Sequence, residues 1–125
     1  MNRTTEILRD IYETSGNVYK YLHDDFVLYS PGASLIAGTF HGADGMREHF
    51  ALMKGLTNDT LHHALQGTYL ADEKWGMVVH RLTATRDDGR ALDTWGFGLW
   101  QFEGERVVGH WESVGDPVHW EEFWS

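Results

Sequence analysis

The chain has 125 residues, 42% hydrophobic and 23% charged, which fits one domain, residues 1–125, with a single real core. Its formal net charge is −9, which repels phosphate backbones and anionic lipid, so neither nucleic acid nor a membrane surface is an expected partner. It has no cysteine, no apolar run near the roughly 20 residues that span a bilayer, and no apolar leader in Met1–Glu6, so thiol chemistry is excluded and the cytoplasm is the expected location.

Thr4 or Thr5 is positioned to cap a first helix whose apolar positions Ile7, Leu8, Ile11 and Tyr12 share one face. Ser15-Gly16-Asn17 ends it, and Val18–Leu22 allows one or two further turns. Phe26–Tyr29 reads as a short strand stopped by Ser30-Pro31-Gly32. Gly42-Ala43-Asp44 opens a helix with Met46, Phe50 and Met53 on one face, and Gly55 is its stop. Strand-like runs follow at about 61–70, 75–86, 91–102 and 106–114, joined by short polar connections at 71–74, 87–90 and 103–105. Connections that short force antiparallel neighbours, so these runs form a meander. Pro117–Trp124 is a last helical turn or a docked tail. Helices first and a strand meander second is the α+β pattern.

Alternation along the third run puts Thr94, Gly96, Gly98, Trp100 and Phe102 on one face and Trp95, Phe97, Leu99 and Gln101 on the other. Both faces are apolar, whereas one helical layer covers only one of them. The second face points to a homodimer packed sheet to sheet. Gly96 and Gly98 are expected to leave volume open to a ligand or another backbone. On the last run Val108, His110, Glu112 and Val114 share a face opposite Val107, Gly109, Trp111 and Ser113.

Four stretches carry a family resemblance: Asp24–Gly32, Gly38–Gly42, Met46-Arg47-Glu48-His49-Phe50, and Trp100–Glu112 with its His110-Trp111-Glu112 ending, followed by Asp116-Pro117. They resemble a SnoaL-like domain of the nuclear transport factor 2-like superfamily over nearly the whole chain. The resemblance implies a cone of helices wrapped by a curved, mostly antiparallel sheet around a pocket for a small hydrophobic molecule. It implies no single activity, because this fold hosts ketosteroid isomerases, epoxide hydrolases, polyketide cyclases, dehydratases and non-catalytic modules. The two carboxyl positions of the ketosteroid isomerases fall at Ser30 and Gly98. The Arg-x-Asp pair of the epoxide hydrolases falls at Val79 and Arg81. The histidine of the aromatic polyketide cyclases also falls at Gly98. One acidic position, Glu112 on the last strand, survives each comparison.

Glu112 is therefore the first candidate general acid/base, because a carboxyl in a dry pocket becomes a proton shuttle near neutral pH. His110, two residues away on the same face, is positioned to share its proton. Tyr12, Phe26, Tyr29, Phe50, Gly98 and Trp100 are expected to bind the ligand. His80 and Arg81 are adjacent on a strand, so only one of them faces inward, and Arg81 would suit a ligand carboxylate or Glu112 itself. His62 and His63 read as one solvated and one inward residue. No His-x-His, His-Glu-x-x-His, nucleophile elbow or phosphate loop occurs, so neither a metal nor a cofactor is expected. The expected activity is a cofactor-free isomerisation, cyclisation, dehydration or hydrolysis. The alternatives are a non-catalytic small-molecule binding protein and a dimerisation module.

Overall fold

A computed structural model describes residues 2–125. The elements run in chain order as α1 (Arg3–Glu13), a 3-10 turn (Asn17–Tyr21), β1 (Leu22–Ser30), β2 (Gly38–His41), α2 (Gly42–Leu56), β3 (His62–Ala71), β4 (Trp75–Thr85), β5 (Ala91–Glu103), β6 (Arg106–Val114) and α3 (Pro117–Trp124). The six strands form one sheet in the order β2-β1-β6-β5-β4-β3. Every neighbouring pair is antiparallel except β1 and β6, which run parallel. The expected α+β architecture and the β3–β6 meander are therefore present.

Local chemistry sets the helix boundaries. Asn2, not Thr4 or Thr5, caps α1: its side-chain oxygen accepts from the Thr5 backbone N–H at 2.8 Å. Thr4 lies inside the helix and is buried with Ile7 and Leu8 against the sheet. The buried stripe of α2 is Met46, His49 and Met53, at i, i+3 and i+7, whereas Phe50 sits at its margin and is 42% exposed. Asp116 caps α3 by accepting from the His119 N–H at 3.1 Å, with Pro117 in the first helical turn. At the other end of α3, Arg86 and Arg90 donate to the carbonyl oxygens of Phe123 and Ser125, which meets the orphan acceptors of a helix C-terminus.

Two apolar clusters lie on the inner face of the sheet. One, under α1, contains Ile7, Leu8, Phe26, Leu28, Trp100, Phe102 and Val107. The other, under α3, contains Ile36, Met53, Leu82, Leu92, Trp120, Phe123 and Trp124. The outer face of the sheet carries Trp75, Trp95 and Tyr29, which are 41%, 42% and 38% exposed.

The strict alternation expected along β6 fails at its start. Gln101 pairs with Gly109 but Phe102 pairs with Val107, so a bulge lies between them. Val107 is thereby fully buried, while Val108 is only half-buried. Beyond the bulge the alternation holds, and His110 and Glu112 both point inward.

Trp124 is fully buried at the centre of the second cluster. Trp124→Ala should destabilise the fold by about 3–5 kcal/mol, read as a lowered midpoint in urea denaturation.

Candidate functional site

A cavity of about 570 Å³ lies between the helices and the inner sheet face, a volume within the range of small-molecule sites. Its walls are mostly apolar and come from every layer: Tyr12 of α1, Tyr19 of the 3-10 turn, Met46 and Phe50 of α2, Leu82 of β4, Trp100 of β5 and Trp120 of α3. Beside the hydroxyls of Tyr12 and Tyr19, the polar residues lining it are Glu13, Ser15, His63, His80, His110, Glu112 and Ser113.

Glu112 sits opposite Gly98 of β5. Its side chain keeps 21% of its surface open to the cavity, with Oε1 lying 3.4 Å from His49 Nε2 and Oε2 3.9 Å from His110 Nε2. Oε1 itself is shielded and has no hydrogen-bond partner. A carboxylate there loses water and gains no donor, so burial pushes its pKa up to about 7.

His110 is held by two contacts. Its ring stacks on Trp100 with centroids 3.7 Å apart. Its Nδ1 lies 3.0 Å from the Leu99 carbonyl oxygen, which can only accept, so Nδ1 carries the proton and donates. Burial pushes the imidazole pKa down to about 3. The neutral ring therefore presents Nε2 as a bare lone pair beside Glu112. Trp100 Nε1 donates to the Tyr12 hydroxyl at 2.9 Å. Tyr12 is pushed up in pKa by burial and keeps its own proton for donation.

The two inward glycines of β5 admit neighbouring side chains rather than leaving open space. A Cβ at Gly98 would lie 2.3 Å from the Tyr12 hydroxyl, and one at Gly96 would lie 2.4 Å from the His80 ring. The volume expected at Gly96 is thus filled by His80, while Gly98 still borders the cavity.

The structure brings Tyr12, Phe50, Gly98, Trp100, His110 and Glu112 together around the cavity. Three expected ligand contacts lie elsewhere. Phe26 is packed into the core beneath α1. Tyr29 is on the outer sheet face, stacked on Trp111 at 5.0 Å. Residues three apart on a strand point to opposite faces, so Phe26 and Tyr29 could not both have faced the pocket. Arg81 is also outside, paired with Asp93 at 2.7 Å and lying over the Trp95 ring. His80 takes the inward position of that adjacent pair and is 7% exposed.

His63 completes the polar wall, and His49 lies behind it, against Glu112. His63 is the inward member of its pair and packs edge-on against His80 at 5.2 Å. His49 is fully buried on α2, with Nε2 3.1 Å from the Ser30 hydroxyl. Sequence reasoning missed His49, although a polar residue at helical spacing between Met46 and Met53 was the available signal. Burial holds His49, His63 and His80 near pKa 4. Among the described residues, no group of three or more His, Cys, Asp or Glu is placed to hold a metal ion.

The family model for the SnoaL-like domain matches residues 16–110. The chain belongs to the SnoaL-like family. Among solved structures it is similar to Bal32a, from a soil-derived mobile gene cassette, with 28% identity over 98% of this chain and 97% of that one and a TM-score of 0.89. An NTF2-like protein of unknown function from Burkholderia pseudomallei is 18% identical over 100% and 99% of the two chains, with a TM-score of 0.83. TerC, co-crystallised with polyporic acid, is 15% identical over 95% and 92%, with a TM-score of 0.74. The last two likenesses establish a shared NTF2-like fold. No curated protein matches the sequence.

The buried imidazoles make a pH prediction with a definite sign. His49, His63, His80 and His110 are depressed below 6.5 in the fold, so the unfolded chain binds more protons on acidification, and stability is lost as pH falls from 6.5 through 4. Glu112, raised from 4.5 to about 7, has the opposite slope between those values but is a single group against four. Melting temperature should therefore fall steeply from pH 6.5 to 4, and a flat profile would contradict the neutral-imidazole wall.

Proposed function

We propose that the protein is a cofactor-independent enzyme that moves a proton on a small, largely hydrophobic molecule, in an isomerisation, cyclisation, dehydration or hydrolysis. The observation that carries this reading is Glu112: a carboxyl at the cavity wall whose pKa lies near 7, where a proton is both held and released at working pH. Glu112 is the group that gives and takes the proton, and the His110 Nε2 lone pair, too weakly basic to take it, stands beside it as a fixed acceptor for a hydrogen bond from the substrate. The Tyr12 hydroxyl is the remaining donor, and Phe50, Gly98 and Trp100 shape the apolar wall. TerC's complex with polyporic acid supports the capacity of this fold to hold a small organic molecule.

A second reading is a binding protein without chemistry. The observation in its favour is that positions 30 and 98, which carry carboxyls in ketosteroid isomerases, are Ser30 and Gly98 here.

A thermal-shift screen of hydrophobic metabolites on wild type and Glu112→Gln separates the two. A ligand at about 100 times its Kd adds about 2.7 kcal/mol to the folded state. Hits should be consumed by wild type with a rate inflection near pH 7, and Glu112→Gln should slow turnover by roughly 10²–10⁴-fold. Hits that bind both proteins and remain unchanged would establish the binding reading.

We further propose that the outer sheet face joins two copies of this chain. Tyr29, Trp75 and Trp95 lie exposed on that face, and Tyr29 and Trp75 both pack against Trp111. Sedimentation should show a dimer, and Trp75→Glu should convert it to a monomer with an unchanged melting profile at low concentration. A wild-type monomer would overturn this assignment.

A further inference from the structure

At the polar corner of the cavity two acceptors, Glu112 and His110 Nε2, stand side by side. Glu112 Oε1 is shielded and unpartnered, and Oε2 lies 3.9 Å from His110 Nε2. That nitrogen is a bare lone pair, because the Leu99 carbonyl fixes the ring proton on Nδ1. Two acceptors 3.9 Å apart do not bond each other, but one nitrogen at about 2.9 Å can reach both. His80 adds a buried Nδ1 without a partner, on a side chain that is 7% exposed.

The charge inventory points the same way. The carboxyl-bearing residues lining the cavity are Glu13 and Glu112, and no lysine or arginine lines it. Arg47 packs on the Tyr19 ring at 4.6 Å but is paired with Asp44 and does not reach the cavity wall. The protein's net charge of −9 repels anions at long range and draws in cations. An anionic ligand would have to give up its water for a site with no compensating positive charge. A protonated amine would meet a carboxylate, a lone pair and the aromatic rings of Tyr12 and Trp100, each of which attracts it.

We infer that the cavity takes an organic amine, whose protonated primary or secondary nitrogen bridges Glu112 and His110 Nε2 while its hydrophobic body fills the apolar wall. The inference rests on the reading of the cavity as the working site and names the substrate class for it. Binding has a proton balance. The groups facing Glu112 are His49 from α2, His110 from its own strand and Tyr12 from α1, all uncharged near neutral pH. An arriving ammonium holds Glu112 as the carboxylate, so the carboxyl proton leaves to solvent. The bound ammonium thereby fixes Glu112 in its ionised form.

The test uses three probes of one shape: 2-naphthylmethylamine, 2-naphthylmethanol and 2-naphthoate, titrated calorimetrically into wild type at pH 7 in two buffers of different ionisation enthalpy. The amine should bind at least about tenfold tighter than the alcohol, the naphthoate should not bind, and the buffer difference should show net proton release. Glu112→Gln should lose about tenfold on the amine and leave the alcohol within about twofold. Glu112→Asp keeps the charge and should retain the preference, which guards against a folding defect in the glutamine variant. Alcohol binding as tight as amine binding, any preference for naphthoate, or an amine affinity indifferent to Glu112→Gln would overturn the assignment, yet leave Glu112 as an acid/base for a neutral substrate. Failure of all three probes on a folded wild type would overturn the assignment and the pocket reading together.

Discussion

The site depends on β6 being an interior strand. β1 lies parallel on one side of it and β5 antiparallel on the other, so its inward residues face protein and cavity rather than bulk water. Two ionisable side chains, His110 and Glu112, occupy that inward row. Desolvation disfavours the charged form of each. It therefore lowers the imidazole and raises the carboxyl, and both are neutral at the same pH. One physical cause gives the corner its proton-holding acid and its bare acceptor.

Packing around this corner fixes geometry that burial alone would leave loose. The Trp100 ring and the Leu99 carbonyl together set the plane and tautomer of His110. Gly98 has no Cβ, and that gap is where the Tyr12 hydroxyl enters to meet Trp100 Nε1. Any larger residue at that position would push Tyr12 and α1 off the sheet. At the far end, Arg86 and Arg90 hold the last carbonyls of α3, keeping Trp120 against the cavity wall. The apolar walls and the polar corner are thus positioned by contacts spread from Tyr12 to Trp120, which also explains why no short motif announces the site.

Much of the fold was legible because its signals are local. The hairpin connections at 71–74, 87–90 and 103–105 are too short for anything but antiparallel neighbours, and the β3–β6 meander follows from them. The alternation of β5 separated its inner and outer faces correctly. Glu112, His110, Trp100, Gly98, Phe50 and Tyr12 were identified by strand or helix position and by the family resemblance, and they border one cavity. Phe26 and Tyr29 do not share the pocket face because so short a strand carries no alternation that marks its parity. Val107 and Val108 exchanged faces because a bulge costs one residue and leaves no mark in an apolar run.

The sequence by itself determined the α+β class, the meander, the apolar stripes and the presence of an acid two residues from a histidine on the last strand, since each is a matter of periodicity or neighbour spacing along the chain. Only the tertiary structure decided that His80 faces in and Arg81 out, that His49 of α2 meets Ser30 and comes within 3.4 Å of Glu112, and that no cationic side chain lines the cavity. Those facts join residues far apart in the chain. The free energy of a buried charge depends on what surrounds it in space, which spacing along the sequence does not encode.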